Sequence, residues 1–199
     1  VSTATRQRIP SFSMTDLERI AAARRAIGLI DLTDLADDHS PAGIDELCRR
    51  ARVHATAAVC VWPEFVATCA AQLRGTGVRV ATVVNFPSGD EPIDVVTLAV
   101  AAALADGADD IDVVLPYRAV LAGDPDRAAA MVAAVAELIE SPVLLKVILE
   151  TGALDDRAVI SSAAQLAIDN GADFVKTSTG KIPAGASLDA AAAMLDVIA

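Results

Sequence analysis

The sequence has few aromatic residues and no excess of positive charge. Of its 199 residues, 3% are aromatic and 54% are hydrophobic, so the core must be built from aliphatic side chains and alanine. The net charge of -11 argues against general binding to nucleic acids or to anionic membranes, because both need a basic surface. A local cluster of donors would therefore have to hold any anionic ligand.

Cysteine and histidine are too scarce to predict a disulfide framework or a metal centre. The three cysteines, Cys48, Cys60 and Cys69, are odd in number and show no framework spacing, which predicts reduced thiols and a cytoplasmic location. With two histidines and no Cys-x-x-Cys, the sequence predicts no metal site. The longest apolar run, residues 95–105, is too short to span a bilayer. We interpret residues 1–13, which contain no apolar segment, as a flexible tail rather than a targeting peptide.

What the sequence does contain is a strict alternation of apolar strands and helices. The strands are apolar at nearly every position, as expected when both faces of a parallel sheet are covered. Strand–helix units recur about every 30 residues, the size of a βαβ unit. We predict strands at 27–33, 56–62, 78–86, 110–116, 142–150 and 174–177, and helices at 14–26, 41–53, 63–73, 93–106, 124–140, 155–170 and 187–199.

Two architectures fit this alternation, a doubly wound open sheet and a (β/α)₈ barrel. An open sheet usually has a glycine-rich turn after its first strand, whereas the turn at 32–35 contains no glycine. No Gly-x-x-x-x-Gly-Lys precedes Lys181, so Lys181 is not a P-loop lysine.

Charged residues inside apolar strands are the clearest functional signal. Asp112 lies in the fourth predicted strand, Lys146 in the fifth and Lys176 in the sixth. A single buried lysine is as often a snorkelling or ion-paired residue as a reactive one. However, residues of one parity point into a barrel, so all three could converge near its axis. That combination favours a reactive site.

The chemistry suggested by these residues is Schiff-base catalysis. A desolvated, partly neutral Lys176 would attack an aldehyde or ketone carbon. The positive charge of Lys146 would lower the pKa of Lys176 by repulsion. Asp112 would move protons while the carbinolamine forms and collapses. Gly180 and Lys181 would offer a backbone N–H and an ammonium to a phosphate, as loops at the C-terminal face of barrels do.

The sequence resembles the deoxyribose-phosphate aldolases. The resemblance runs in register from about residue 27 to the end, and it is carried by the stretches at 30–33, 81–87, 110–118, 144–152 and 173–181. It implies a class I aldolase on a TIM barrel of (β/α)₈ type. Such an enzyme cleaves 2-deoxy-D-ribose 5-phosphate to glyceraldehyde 3-phosphate and acetaldehyde, and it uses no metal or other cofactor.

The resemblance also implies a role for individual residues. Lys176 matches the Schiff-base lysine, Asp112 matches the proton-relay aspartate, and Lys146 matches a lysine close to the reactive one. The same motifs imply that substrate contacts are made by Thr33, Cys60, Gly180 and Lys181. From the sequence alone, Cys60 could equally be a small buried hydrophobic residue.

The family continues with two further strand–helix units, which supply another lysine and much of the phosphate site. The last predicted helix ends at Ala199 without a glycine cap or a basic last turn. We therefore expect a truncated barrel domain, residues 14–199, with about six of the eight units. Its unpaired strand edges would favour homo-oligomers.

Three functions remain open at this point. The first is an active aldolase, completed by another chain or weakly active alone. The second is a truncated, non-catalytic remnant of the family. The third is a class I aldolase with a different acceptor aldehyde.

Overall fold

The computed structural model describes residues 15–198, which form six strands and nine α-helices. The strands are β1 (Asp31–Asp34), β2 (Ala58–Val61), β3 (Arg79–Val84), β4 (Asp110–Val114), β5 (Leu144–Ile148) and β6 (Phe174–Lys176). The helices are α1 (Asp16–Ile27), α2 (Pro41–His54), α3 (Val66–Leu73), α4 (Ile93–Ala105), α5 (Tyr117–Leu121), α6 (Pro125–Ala136), α7 (Thr151–Leu154), α8 (Arg157–Asp169) and α9 (Leu188–Ile198). The predicted flexible segment, residues 1–13, lies outside the described residues.

All six strands join one parallel sheet in the order β1-β2-β3-β4-β5-β6. Each strand lies beside its predecessor in the chain, so the strand order never reverses. A doubly wound sheet requires such a reversal, whereas a (β/α)₈ barrel is built by sequential addition. The prediction of consecutive barrel units is therefore confirmed.

Helix starts follow the capping residues in the sequence. Thr15 and Glu18 form a reciprocal capping box at the start of α1. Ser40 caps α2 and Asp124 caps α6, and in both helices a proline occupies the first turn. No helix within residues 15–198 is long and apolar enough to cross a membrane.

Some predicted boundaries are wrong. Ile27 ends α1 rather than opening the first strand, because Gly28 N and Leu29 N still donate to carbonyl groups of that helix. The chain becomes extended only at Asp31. The predicted helix at 124–140 ends at Ala136, and the short helices α5 and α7 were not predicted.

The two faces of the sheet differ in composition. One face packs against the helices and forms the main apolar core, which includes Val59, Val80 and Val113. The opposite face carries a smaller cluster formed by Ala58, Cys60, Ala81 and Val83. Side chains along a strand alternate between the two faces of the sheet. The charged residues of β4 and β5 lie on the same face as the small cluster, which we call the open face.

Candidate active site

The strand register brings the three predicted charges together. Asp112 of β4 lies opposite Lys146 of β5, and Lys176 of β6 lies opposite Ile148, two residues further along β5. All three side chains therefore lie on the open face of the sheet, the face opposite the helices. The predicted convergence of Asp112, Lys146 and Lys176 is therefore confirmed as geometry.

Lys176 and Asp112 form a direct ion pair. Lys176 Nζ donates a hydrogen bond to Asp112 Oδ2, and Asp112 is fully buried. Burial raises the pKa of Asp112, and the ammonium groups of Lys176 and Lys146 offset only part of that increase. Burial disfavours the charged form of Lys176, but Asp112 and its neighbours outweigh burial, so the pKa of Lys176 is raised. The pair therefore holds a proton tightly at rest.

Lys146 is surrounded by carboxylates. Its Nζ lies 2.7 Å from Asp31 Oδ2, 2.8 Å from Asp110 Oδ2 and 3.8 Å from Asp112 Oδ1. Burial works against its charge, but these three carboxylates outweigh burial and raise the pKa of Lys146.

The prediction that Lys146 lowers the pKa of Lys176 is wrong, since the pKa of Lys176 is raised. The positive charge of Lys146 is already balanced by Asp31 and Asp110. What Lys176 faces most closely is negative charge, because Asp112 contacts it and Asp31 Oδ2 lies 3.7 Å from its Nζ.

A second layer holds these carboxylates in place. Arg79 Nε lies 2.7 Å from Asp110 Oδ1, while Arg79 Nη2 donates to the carbonyl groups of Asp109 and Pro142. Asp31, Asp110 and Arg79 belong to the site but are not among the residues that the sequence predicts for it. Asp110 could have been found, because it is two residues before Asp112 and so shares its face of the strand.

A cavity of about 490 Å³ lies beside Lys176. It is lined by Lys176 and by the predicted contact residues Thr33, Cys60 and Gly180. Apolar walls come from Leu35 and Phe86, among others. Such a cavity, mostly apolar with a few convergent polar groups, is typical of small-molecule sites.

Cys60 contributes a buried thiol rather than a reactive one. Burial and the charge of Asp112 raise the pKa of Cys60 to about 12. Its Sγ lies 4.0 Å from Asp112 Oδ2. Since the thiolate is the nucleophilic form, Cys60 lines the cavity as a small apolar group.

Lys181 lies at the edge of the site. Its Nζ is 3.0 Å from Asp37 Oδ1 and 5.7 Å from the centroid of the Trp62 ring. Gly180, next to it, adopts a left-handed conformation with φ of 76°, which glycine tolerates without strain. The loop thus turns sharply between the cavity and Lys181.

The described residues do not include a group of three or more histidine, cysteine, aspartate or glutamate side chains arranged to hold a metal ion. The acidic residues of the site are instead paired with lysine and arginine. The chemistry available at the cavity is that of an amine nucleophile next to a buried acid–base group.

Comparison with known proteins gives a consistent result. A family model described as DeoC/LacD family aldolase matches residues 25–199. A deoxyribose-phosphate aldolase of Agrobacterium fabrum is 51% identical over 180 residues, which cover 89% of this chain and 70% of the relative.

Solved structures give the same result. A proposed deoxyribose-phosphate aldolase of Coccidioides immitis matches with a TM-score of 0.84 at 32% identity, covering 88% of this chain and 68% of that one. A tetrameric deoxyribose phosphate aldolase of Aeropyrum pernix matches with a TM-score of 0.74 at 28% identity, covering 83% and 69% of the two chains.

Proposed function

Because the chain belongs to the DeoC/LacD aldolase family, we propose that it is a class I aldolase acting on 2-deoxy-D-ribose 5-phosphate. The products would be D-glyceraldehyde 3-phosphate and acetaldehyde. The observation that carries the proposal is the contact of Lys176 Nζ, which lines the cavity, with the buried carboxylate of Asp112. This contact gives an amine nucleophile an adjacent proton acceptor.

The first step is a proton transfer within the pair. When the substrate aldehyde arrives, the ammonium proton of Lys176 passes to Asp112, whose raised pKa makes it a competent acceptor. The neutral amine then attacks the carbonyl carbon and forms a carbinolamine. Asp112 returns the proton to the hydroxyl group, which leaves as water, and a protonated Schiff base remains on Lys176.

The second step breaks the carbon–carbon bond. Asp112, which is again a carboxylate, takes the proton from the hydroxyl group at C3 of the substrate. The C2–C3 bond breaks, its electron pair forms a C1–C2 double bond, and the iminium π electrons move to nitrogen. Glyceraldehyde 3-phosphate leaves and an enamine remains on Lys176. Protonation of the enamine carbon and hydrolysis of the resulting iminium release acetaldehyde and restore the amine.

The surrounding residues would orient the substrate. Lys146, held by Asp31 and Asp110, provides a fixed positive charge that keeps Asp112 from being isolated in an apolar site. Thr33 and Cys60 would contact the carbon chain, since both line the cavity. Gly180 and Lys181 would face the phosphate, because Gly180 borders the cavity and Lys181 is the next residue.

The alternative, a non-catalytic remnant of the family, has less support. The pair that Schiff-base chemistry needs, a lysine in contact with a buried proton acceptor, is present in this chain. Lys176 lines the cavity, so a substrate there could reach its amine.

Assembly and location form a further part of the proposal. Within residues 15–198, β1 and β6 each pair with one neighbouring strand only, so copies of the chain could associate through these edges. A tetrameric relative is in line with self-association.

We assign the protein to the cytoplasm, because its three cysteines are free.

The test is covalent trapping. Incubation with acetaldehyde and sodium borohydride should leave a two-carbon adduct on Lys176, located by peptide mass spectrometry. Lys176→Leu should abolish that adduct while preserving the circular dichroism spectrum. The proposal fails if labelling maps mainly to Lys146 or Lys181, the other two lysines of the sequence, or persists unchanged in Lys176→Leu.

A further inference from the structure

Glu150 is a buried acid that the proposed reaction does not use. Its side chain is fully buried at the C-terminal end of β5, and its backbone has a left-handed conformation with φ of 56°. A residue with a Cβ rarely adopts this conformation unless its surroundings enforce it. A buried carboxylate likewise needs a partner to be tolerated.

That partner is Thr179 in the loop after β6. Thr179 Oγ1 donates a hydrogen bond to Glu150 Oε2, and Thr179 N lies 3.4 Å from each carboxylate oxygen. Among residues 15–198, Thr179 alone donates hydrogen bonds to this carboxylate. The carboxylate therefore fixes both the backbone and the side chain of one loop residue.

The same hydroxyl group extends the contact to Lys181. Lys181 N donates a hydrogen bond of 3.1 Å to Thr179 Oγ1. The hydroxyl group thus donates to Glu150 and accepts from Lys181, and the left-handed Gly180 lies between them. A hydroxyl oxygen can do both at once. This series of hydrogen bonds from Glu150 to Lys181 spans the whole turn at the cavity edge.

The base of the loop is fixed to the same segment. Leu149 N donates to Lys176 O at 2.9 Å, and Thr151 N donates to Thr177 O at 2.7 Å. Glu150 lies between these two donors in sequence. The left-handed conformation of Glu150 lets its side chain reach Thr179 while its neighbours hold the residues around Lys176.

We propose that Glu150 is a positioning residue that, through Thr179, fixes the loop 177–181 so that Gly180 and Lys181 face the phosphate of the substrate. The inference rests on the proposed aldolase function. Glu150 does not touch the reacting atoms, so it acts on recognition of the phosphorylated end rather than on Schiff-base formation. Its effect should therefore depend on whether the aldehyde carries a phosphate.

The experiment compares trapping at Lys176 by 2-deoxy-D-ribose 5-phosphate, 2-deoxy-D-ribose and acetaldehyde in Thr179→Val and in Glu150→Met, which lacks an acceptor oxygen. Loss of loop positioning should raise the half-saturating concentration of the phosphorylated sugar about 10- to 100-fold, the range typical of small misplacements. Trapping by the two unphosphorylated aldehydes should change by less than about twofold. Thr179→Ser, which keeps the hydroxyl group, should restore the wild-type value.

A matched control separates positioning from general loss of stability. Ser161 Oγ donates to Ala193 O between α8 and α9, so Ser161→Ala removes a hydroxyl contact outside the site and should leave the preference for the phosphorylated sugar unchanged. Equal effects on phosphorylated and unphosphorylated aldehydes, or no effect on either, would overturn the role of Glu150.

A second measurement needs no substrate. In Glu150→Met, which has no side-chain oxygen to accept from Thr179, amide hydrogen exchange at Lys181 should be faster than in the wild type, because its acceptor Thr179 Oγ1 is no longer fixed. Unchanged exchange refutes the proposal even if the chain proves not to be an aldolase. Failure of acetaldehyde to label wild-type Lys176 would instead refute the aldolase function.

Discussion

Lys146 Nζ of β5 lies 2.7 Å from Asp31 Oδ2 of β1. Four strand spacings separate β1 from β5 in the sheet, which in a flat sheet would be about 19 Å at 4.8 Å per strand. The two side chains cannot reach across that distance, so the sheet curves and its open face becomes the interior of a barrel. The ion pair is thus evidence of barrel geometry as well as part of the site.

The same contact explains why Lys146 does not activate Lys176 by repulsion. The carboxylates of Asp31 and Asp110 balance the charge of Lys146, while Lys176 contacts Asp112. The resting site therefore stores its proton on the pair of Lys176 and Asp112. Activation depends on transfer within that pair when an aldehyde binds.

Asp112→Asn tests the proton transfer directly. We expect kcat for aldol cleavage to fall by about 10²- to 10⁴-fold, the usual contribution of a general acid–base group. KM should change much less, because Asp112 lies beneath the cavity and contacts Lys176 rather than the phosphate end. A coupled assay of glyceraldehyde 3-phosphate release measures both constants. Equal losses in stability and activity, with no separable kinetic effect, would instead indicate a structural role.

The pH dependence of Lys176 reactivity gives an independent test. Only the neutral amine is nucleophilic, and Asp112 raises the pKa of Lys176. Acylation of Lys176 by an activated ester should therefore increase as pH rises into the alkaline range. In Asp112→Asn the midpoint should move to lower pH, because the favourable negative charge is gone. Peptide mass spectrometry across a pH series measures the midpoint, and an unchanged midpoint would contradict the ion pair.

Lys146→Met should destabilise the fold strongly. It removes the cation that Asp31 and the buried Asp110 share and leaves Asp110 with Arg79 alone; breaking a buried pair costs up to about 3–5 kcal/mol. Urea denaturation measures the free energy of unfolding. As a control, Arg157→Gln removes an exposed pair with Asp196 and should cost less than about 1 kcal/mol. Equal costs for the two variants would contradict this assignment.

The stability that Lys146 contributes should also depend on pH. The pKa of Lys146 is raised in the folded protein, so its contribution is fully present below the ordinary lysine pKa and is lost as pH rises through the folded value. The difference in unfolding free energy between wild type and Lys146→Met should therefore shrink only at strongly alkaline pH. A difference that shrinks already near neutral pH would disprove the raised pKa.

Much of the fold follows from the sequence because its signals are local. Uniformly apolar strands separated by helices predict a parallel sheet, and the capping residues Thr15 and Asp124 mark where helices begin. A charge inside an apolar strand is conspicuous, which is why Asp112, Lys146 and Lys176 could be identified.

The remainder of the site depends on tertiary contacts. Asp31 and Arg79 lie at the starts of strands, where charged residues are ordinary, and only the sheet curvature and register bring them to Lys146 and Asp110. Glu150 lies just beyond a strand, and its burial depends on a left-handed backbone that sequence patterns do not reveal for a glutamate. The direction in which the pKa of Lys176 is shifted could not be inferred either, because it depends on which charge lies nearest.

The last prediction concerns self-association through the sheet edges. The edge strand β6 carries Phe174, whose side chain is largely exposed, and β1 follows the exposed Leu29. Apolar residues on an unpaired strand edge favour pairing with another chain. Sedimentation velocity should therefore show a sedimentation coefficient that rises with protein concentration. Phe174→Lys should weaken this association, because charged residues, lysine above all, protect strand edges from pairing.

Leu98→Lys provides the matched control for this experiment. Leu98 is also a large exposed apolar residue, but it lies on the outer face of α4, away from both edges. If association occurs through β1 and β6, Leu98→Lys should leave the concentration dependence unchanged while Phe174→Lys reduces it. If Leu98→Lys reduces association and Phe174→Lys does not, the contact between copies involves the helical layer, and the edge proposal is wrong. A monodisperse monomer at all concentrations would refute self-association altogether.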